Sequence, residues 1–430
     1  MKRKCLTVGI ILLFIGTCII PTFAQDIKKS TLPTSKGNWL YVGGSGPGNY
    51  TKIQDAIDNA SEGDTVFVYY GTYYENVVIN KIIDLIGEDK NTTIIDGSGT
   101  GDVVLVISDE VTISGFTFQN SSSSWFDSGI KLLYSNNNTI MDNIISNNYI
   151  GIWLNTSSNN IITNNNASYN SWTIYLSYSN NNTIMRNNVS NNFEGVTLSY
   201  SNNNIIADNN VSNNEYGIFL DASSNNNIMR NNVSNHYRPI FLIDYGSNNH
   251  FYHNNLINYT HNAYDDGENT WDNGYPSGGN YWDSYTGNDT FWGQNQTING
   301  SDGVGDTPYN IAAHDNKDRY PLMEPYGMTT LSLEFKGGLF KWSGIIKNIG
   351  NNTAYNVQWK IVIDRGVVLF GRESSGTIPK PLLAGEETQV SSTFILGFGK
   401  IIITIAVWAD NAHYVSKSTP GTLFLFFVKI

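Results

Sequence analysis

The stretch GIWLNTSSNNIITNNNASYNSW, from Gly151 to Trp172, decides the fold because its pattern returns at a step of 22 residues. One column of the pattern holds leucine in six successive repeats: Leu132, Leu154, Leu176, Leu198, Leu220 and Leu242. A second column is branched and aliphatic: Ile130, Ile152, Ile174, Val196, Ile218 and Ile240. A third column is asparagine: Asn138, Asn160, Asn182, Asn204, Asn226 and Asn248. A fixed period of this length is typical of solenoids, which stack copies of one unit.

One repeat contains three short apolar pieces separated by turns. Ile152 and Leu154 lie two residues apart and therefore on one face of a strand. Breaks rich in Asn and Ser then isolate apolar residues at Ile162 and Ala167. Such a unit cannot bury its apolar face alone, so its neighbours must stack on it. The pattern predicts an all-β fold, a right-handed parallel β-helix with coils about 4.8 Å apart.

Asparagine makes up about one residue in seven, and stacking explains this excess. Asparagine tolerates the left-handed conformation that tight turns demand. Stacked asparagines also hydrogen-bond along a stack of strands, as they do in cross-β ladders. We therefore expect a structural ladder from this column: Asn143, Asn165, Asn187, Asn209 and Asn231.

The amino-terminal part of the chain carries an export signal and then the solenoid. Three basic residues, an apolar run and small residues before Gln25 indicate a secretory signal peptide at residues 1–24. The β-helix is expected over residues 38–326, with a capping helix near residues 50–60 and regular coils at residues 129–256.

The carboxyl-terminal part changes character twice. Residues 260–326 lose the period and are rich in Asp, Gly, Tyr and Trp, which predicts a cap over the last coil. Residues 321–327 are interpreted as a linker. Short strand-like runs separated by turns predict an Ig-like β-sandwich at residues 329–430. Its final apolar run, residues 423–430, is too short to span a membrane and is interpreted as a last strand.

Charge and cysteine content restrict the functional classes. The net charge of −12 argues against nucleic acid or anionic lipid as a partner. Both cysteines, Cys5 and Cys18, lie in the predicted signal peptide, so the mature chain is expected to lack disulfides and thiol catalysis. We also expect no transmembrane span in the mature chain, and a secreted or cell-surface location.

Several stretches resemble known families. IQDAIDNASEGDTVFVYYGTYYENVVINKIIDLIGED, beginning at Ile53, resembles the capped first coils of pectin-lyase-like β-helices. The regular array, together with GGNYWDSYTGND from Gly278 and DGVGDTPYNIAAHDNKDRYPLM from Asp302, resembles the NosD type of periplasmic copper-binding protein. GTIPKPLLAGEE and FILGFGK near the end resemble the Ig-like adhesion modules of archaeal surface proteins. The resemblance implies an exported surface protein and, by the NosD name, copper handling.

Two kinds of metal site are candidates. Copper requires clustered His, Met or Cys side chains, and His250, His253 and His261 are the candidate ligands. Calcium prefers several carboxylate and carbonyl oxygens around a glycine turn. The segment from Ser301 to Asp306 fits this loosely, with Asp302, Asp306 and Asp289 as candidate calcium ligands. The alternative for these aspartates is that they only build turns.

The coils also offer candidate contacts to carbohydrate. Trp172, Phe193 and Tyr216 are aromatic residues that could stack on sugar rings. Glu194 and Glu215 lie one residue from a full coil apart, which suggests a pair of carboxylates for a glycoside hydrolase or polysaccharide lyase. No clustered set of acids repeats between coils, so we expect a structural or binding role without catalysis. The expected partners are cell-envelope polysaccharide or other surface proteins, and the alternatives are a polysaccharide-active enzyme and a copper-handling maturation factor.

Overall fold

The computed structural model describes residues 37–336 and 341–429. The predicted signal peptide at residues 1–24 lies outside the described residues. A single helix among them, Ile53–Asn59, lies where the capping helix was predicted. Its Ile53, Ala56 and Ile57 are buried, and the Glu75 carboxylate accepts hydrogen bonds from the amide N–H groups of Ile53 and Gln54 at 2.9 and 3.1 Å. The helix covers the apolar end of the first coil.

The solenoid consists of three ten-stranded parallel sheets that wind into a right-handed β-helix. The first sheet contains Trp39–Val42, Asp64–Val68, Ile83–Gly87, Thr112–Ser114, Thr139–Met141, Ile161–Thr163, Thr183–Met185, Ile205–Ala207, Asn227–Met229 and His250–Tyr252. The second sheet contains Gly71–Tyr74, Thr93–Asp96, Thr117–Gln119, Ile144–Ser146, Asn166–Ser168, Asn188–Ser190, Asn210–Ser212, Asn232–His236, Asn255–Tyr259 and Tyr281–Trp282. The third sheet contains Val77–Ile79, Val104–Val106, Ser128–Leu133, Ile150–Asn155, Trp172–Ser177, Glu194–Ser199, Tyr216–Asp221, Arg238–Ile243, Tyr264–Asp265 and Ala312–Ala313.

The register of the third sheet confirms the predicted period. Ile152 pairs with Ile174 and Leu154 with Leu176, so equivalent residues of successive coils lie side by side. The leucine and branched aliphatic columns are buried in one continuous core. Residues between the two columns, such as Trp153 and Tyr175, therefore face the outside of the third sheet.

The asparagine ladder is confirmed, with one change of register. The Nδ2 group of Asn165 donates to Oδ1 of Asn187 at 3.1 Å, and Nδ2 of Asn187 donates to Oδ1 of Asn209 at 3.0 Å. In a second ladder, the column that begins at Asn138, the Nδ2 group of Asn226 donates to Oδ1 of Asn249, which lies 23 residues later. The prediction that Asn248 occupies this column was therefore wrong. The extra residue enters near Gly246, where the coil is one residue longer.

The predicted cap closes the last coil with tryptophan. The Trp271 ring stacks on Phe251 with centroids 4.2 Å apart, and Trp282 lies 5.8 Å from Trp271. Both tryptophans are buried. Two short antiparallel pairs complete the segment: Phe291–Trp292 with Ile298–Asn299, and Tyr309–Asn310 with Lys317–Asp318. The expected linker at residues 321–327 is packed, since Leu322 and Tyr326 are buried.

The carboxyl-terminal segment forms two antiparallel sheets around one hydrophobic core. The smaller sheet contains Leu331–Lys336, Ser343–Asn348 and Glu387–Ser391. The larger contains Gln358–Asp364, Val367–Phe370, Glu373–Thr377, Leu396–Ala409, Ala412–Leu425 and Phe427–Lys429. The final apolar run is therefore two strands joined by a turn, because Leu425 lies in the left-handed region at φ 54° and reverses the chain.

The described part of the chain includes no helix that is long and apolar enough to cross a membrane.

Candidate functional site

The outer side of the third sheet is lined with aromatic rings, which we call the aromatic face. Two of its columns follow from the register: Trp172, Glu194, Tyr216 and Arg238 in one, and Trp153, Tyr175, Thr197, Phe219 and Phe241 in the other. The strands are six residues long here, against three in most of the first sheet. The longer strands provide a flat support on which side chains from successive coils stand about 4.8 Å apart.

A cleft of about 380 Å³ opens at one end of the aromatic face. It is lined by Trp125, Phe126, Trp153, Asn155, Trp172, Tyr175, Ser177 and Tyr178. Trp125 and Phe126 come from an insertion, residues 120–127, that connects the strands Thr117–Gln119 and Ser128–Leu133. Both are largely exposed. The insertion therefore forms a wall at the edge of an otherwise open sheet.

Contacts between the rings hold the cleft in shape. Trp153 stacks on Phe126 with centroids 5.9 Å apart and on Tyr175 at 6.1 Å. The Trp153 indole N–H donates to Oγ of Ser177 at 3.1 Å. The Lys131 ammonium lies 4.2 Å from the centroid of Trp153 and donates to the Phe126 carbonyl at 2.9 Å. A rigid aromatic floor with a few polar groups at its rim is typical of a small-molecule or carbohydrate subsite.

The three aromatic residues predicted to bind sugar lie on the same face. Trp172 lines the cleft, and its ring centroid is 5.1 Å from that of Tyr175. Phe193 and Tyr216 lie farther along the solenoid, with centroids 5.9 Å apart. Sequence reasoning missed Trp153 and Tyr175, although both lie one repeat apart between the aliphatic columns. Applying the period to outward positions would have found them.

The two candidate catalytic glutamates do not form a facing pair. Glu194 is 7% exposed, and its Oε2 accepts a hydrogen bond from the Thr197 hydroxyl at 2.6 Å. Burial raises the pKa of the Glu194 carboxyl above its ordinary value, although the Thr197 hydrogen bond opposes the shift. The register partner of Glu194 is Tyr216, whereas Glu215 lies before that strand and is exposed. The two carboxylates therefore have different environments and different registers.

A further acidic group lies toward the other end of the same strands. The Ser199 hydroxyl donates to Oδ2 of Asp221 at 2.7 Å. Burial, followed by the effect of neighbouring Asp244, raises the pKa of Asp221. Asp221 was not among the predicted site residues because no second acid occupies its column in the regular coils. Asp221 thus lies beside the aromatic columns, at the carboxyl-terminal end of its strand.

The candidate calcium ligands lie together in the cap, but their oxygens bind protein N–H groups. Asp289 accepts from the amides of Asp302 and Gly303 at 3.0 and 2.8 Å. Asp306 accepts from the amide of Thr290 at 3.0 Å and from its hydroxyl at 2.7 Å. Asp302 accepts from the amide of Val304 at 3.0 Å, and burial raises the pKa of Asp302 to about 6. Carboxylates that accept hydrogen bonds from nearby backbone amides are typical of turns. These bonds favour the alternative that the three aspartates build turns.

The candidate copper ligands have separate partners. Nε2 of His250 lies 2.8 Å from the carbonyl of Asp272, and Nε2 of His253 lies 2.8 Å from the carbonyl of Ser277. The ring of His261 packs on Tyr237 at 4.3 Å. Over residues 37–336 and 341–429, no group of three His, Cys, Asp or Glu side chains is arranged to hold a metal ion. The histidines present therefore do not fit a copper centre.

Methionine does not supply the missing copper ligands. Met141 and Met185 belong to one column of the first sheet but are separated by the strand of Thr163. Two strand spacings place them roughly 10 Å apart, too far to share one ion. The Met229 sulfur, two coils further on, already accepts a hydrogen bond from the Tyr252 hydroxyl at 2.8 Å.

Comparison with known proteins gives a family. The model of the family described as periplasmic copper-binding protein (NosD) matches residues 57–198 and 114–287, which together span more than half of the 430 residues. Among solved structures, the pectate lyase Pel9A aligns at 15% identity with a TM-score of 0.43, covering 55% of this chain and 80% of that chain. ORF18 of Geobacillus virus E2 aligns at 13% identity and a TM-score of 0.41, covering 88% of this chain and 74% of that chain. A comparison with curated proteins found no match.

Proposed function

This chain belongs to the NosD family of β-helix proteins, and on that premise we propose that its aromatic face binds extended polysaccharide at the cell surface without cleaving it. The observation that carries the proposal is the cleft between the wall of Trp125 and Phe126 and the floor of Trp153, Trp172 and Tyr175. The wall residues Trp125 and Phe126 are each 67% exposed, and a contiguous exposed apolar patch often marks a binding site. Aromatic rings suit sugars because they offer a flat apolar surface next to polar groups.

The shape of the face favours a polymer over a single small sugar. Rings continue beyond the cleft, since Tyr216 stacks on Phe241 with centroids 5.5 Å apart and Phe219 stacks on Phe241 at 5.3 Å. A chain laid along the solenoid axis would meet a new coil about every 4.8 Å. Repeated weak contacts of this kind add up through effective concentration.

The binding test uses affinity electrophoresis and calorimetry with soluble polysaccharides, both neutral and acidic. Replacing Trp172 and Tyr175 together by alanine removes the floor of the cleft, and we expect the affinity to fall at least tenfold. The control is Tyr74→Ala, since Tyr74 is an exposed aromatic residue that lies on the second sheet, away from the cleft. Equal affinity of parent and double variant for every polysaccharide would contradict the proposal.

The enzymatic alternative is tested on the same polysaccharides. Glu194 and Glu215 do not face each other, so changing both to glutamine should leave product release at the background of the parent. Reducing-end release, or the unsaturated products of a lyase, that the parent generates and the double variant loses would establish the enzyme instead. An intact parent that binds without product supports the binding role.

The copper alternative follows from the family description alone. The imidazoles of His250 and His253 are engaged with backbone carbonyls, so no copper step is assigned to them. Elemental analysis of the protein, dialysed after equilibration with copper and calcium, separates the cases. Stoichiometric copper that disappears when His250, His253 and His261 are replaced would restore the copper-handling function.

A further inference from the structure

The carboxyl-terminal sandwich presents an exposed apolar surface at one end of its larger sheet. We call it the phenylalanine tip. Its exposed members are Val367, Leu369, Phe370, Phe398, Phe424, Leu425 and Phe427. Phe370 is 63% exposed and Phe424 is 65% exposed, which is far from the core positions that phenylalanine usually occupies.

Strand pairing brings these residues together. Val367 pairs with Phe398, Phe398 pairs with Phe424, and Phe424 pairs with Phe427. The rings of Phe398 and Phe424 lie 5.9 Å apart. Because cross-strand neighbours stand side by side, the exposed rings form one surface and not isolated contacts.

The turn within the tip has an unusual composition. Phe424 and Phe427 pair across a two-residue connection formed by Leu425 and Phe426. Such tight turns favour Gly, Asn or Asp, because one or both positions have positive φ. Leu425 takes this conformation at φ 54°. A leucine in this conformation is strained, and strained residues occur mainly at functional sites. Its exposed side chain also extends the apolar surface of the tip.

The charge of the sandwich differs in sign from that of the whole chain. Residues 331–430 contain ten Lys and Arg against six Asp and Glu, a net charge of +4 in a chain of −12. The remaining residues therefore carry −16, since −12 minus +4 is −16. The negative charge that argued against an anionic partner lies outside the sandwich.

Exposed cations border the tip. Arg365 precedes Val367 by two residues, Arg372 follows Phe370 by two, and Lys400 follows Phe398 by two. The acidic neighbours are Asp364 and Glu373, and Glu373 is paired with Lys360 at 2.7 Å. Apolar side chains at strand ends with a rim of cations match the boundary between the acyl chains and the phosphates of a bilayer.

We propose that the phenylalanine tip docks on an anionic lipid bilayer, with its rings at the acyl boundary and Arg365, Arg372 and Lys400 on lipid phosphates. The apolar side chains are exposed and lie in a turn and near the ends of strands, where a bilayer could reach them. The proposal departs from the expectation, drawn from the net charge of the whole chain, which argued against anionic lipid as a partner. It does not depend on the aromatic face.

The test is co-sedimentation with vesicles of phosphatidylglycerol and phosphatidylcholine, compared with vesicles of phosphatidylcholine alone. The protein prepared for this test begins at Gln25. It lacks the apolar run of the predicted signal peptide and keeps the compact unit from Ser35 to Ile430. We expect binding to the anionic vesicles that weakens with salt. Replacing Phe370 and Phe424 together by serine should reduce binding at least tenfold, whereas Ile349→Ser, a control that is 56% exposed, should not.

The serine variant could lose binding because it fails to fold, so a second variant changes charge and leaves the rings in place. Arg365→Gln with Lys400→Gln leaves the rings in place and should reduce binding to anionic vesicles severalfold while the thermal transition stays unchanged. Failure of the parent to bind vesicles overturns the proposal. So does a parent dimer, seen by light scattering, that the serine variant dissociates, because the tip would then be an interface between copies. Binding to an acidic polysaccharide but not to vesicles would also overturn it.

Discussion

At the scale of single residues, His253 is a candidate metal ligand that the fold uses as a packing residue. It occupies the column of Asp208 and Arg230 and has the same left-handed backbone, with φ 58°. It is buried, and its ring stacks on Tyr326 with centroids 4.0 Å apart. Burial favours the neutral ring, and in that form the bond to the Ser277 carbonyl places the proton on Nε2. The His253 imidazole therefore packs against Tyr326 and bonds the Ser277 carbonyl.

The same residue makes stability depend on pH. Burial lowers the pKa of His253 to about 3, below the value of about 6.5 in an unfolded chain. The unfolded state then binds more protons, so stability is lost as the pH falls below about 6.5. Between pH 7 and pH 4 the parent should lose about 3 kcal/mol more unfolding free energy than His253→Asn, which cannot titrate there. Denaturant unfolding at both pH values measures this, and equal losses would show that His253 is not buried as a neutral ring.

At the scale of elements, the asparagine ladders hold the turns of successive coils together. Asn187 is buried, and its Nδ2 donates to the carbonyl of Ile162 at 2.9 Å as well as to Asn209. Its Oδ1 accepts from the backbone amide of Asn165 at 3.0 Å. Each ladder member therefore satisfies backbone groups that a turn would otherwise leave buried without partners.

Two adjacent asparagines provide a matched comparison. Asn187→Ala leaves the Asn165 amide and the Ile162 carbonyl without their partner, and should lower the unfolding free energy by about 3 kcal/mol or more. Asn188 is exposed, and its Nδ2 donates to Oδ1 of Asn166 at 2.8 Å in a ladder that faces solvent. We expect Asn188→Ala to cost less than about 1 kcal/mol. Equal losses in chemical denaturation would mean that the buried ladder adds nothing beyond side-chain volume.

At the scale of the whole molecule, the solenoid and the sandwich meet at a buried junction. Tyr326 stacks on His253 of the last coil and on Tyr355 of the sandwich, whose centroid lies 5.7 Å away. The Ser277 hydroxyl donates to the Asp410 carboxylate at 2.6 Å. Residues from the cap and the sandwich share an apolar cluster around Leu322. The two parts therefore form one compact unit.

The junction predicts coupled unfolding. Tyr326→Ala removes both ring contacts, and should lower the unfolding free energy by about 3–5 kcal/mol and divide one calorimetric transition into two. Tyr326→Phe is the control, because the Tyr326 hydroxyl is buried without a hydrogen-bond partner. Its removal should be neutral or slightly stabilising. Two transitions already present in the parent would contradict the coupling.

The sequence by itself determined the solenoid, because a 22-residue repeat can bury its apolar face only by stacking on its neighbours. Residues that are 22 apart are then neighbours in successive coils. The sequence placed the buried leucines, the asparagine ladder and the capping helix for the same reason. The period also fixes which outward residues form the aromatic face. Only the tertiary structure showed that Trp125 and Phe126, which come from an aperiodic insertion, line a cleft together with Trp153. Local pattern carries no information on contacts between segments without a shared period. The environments of Glu194 and His253 and the exposure of the phenylalanine tip depend on such contacts, so they were decided by the folded chain.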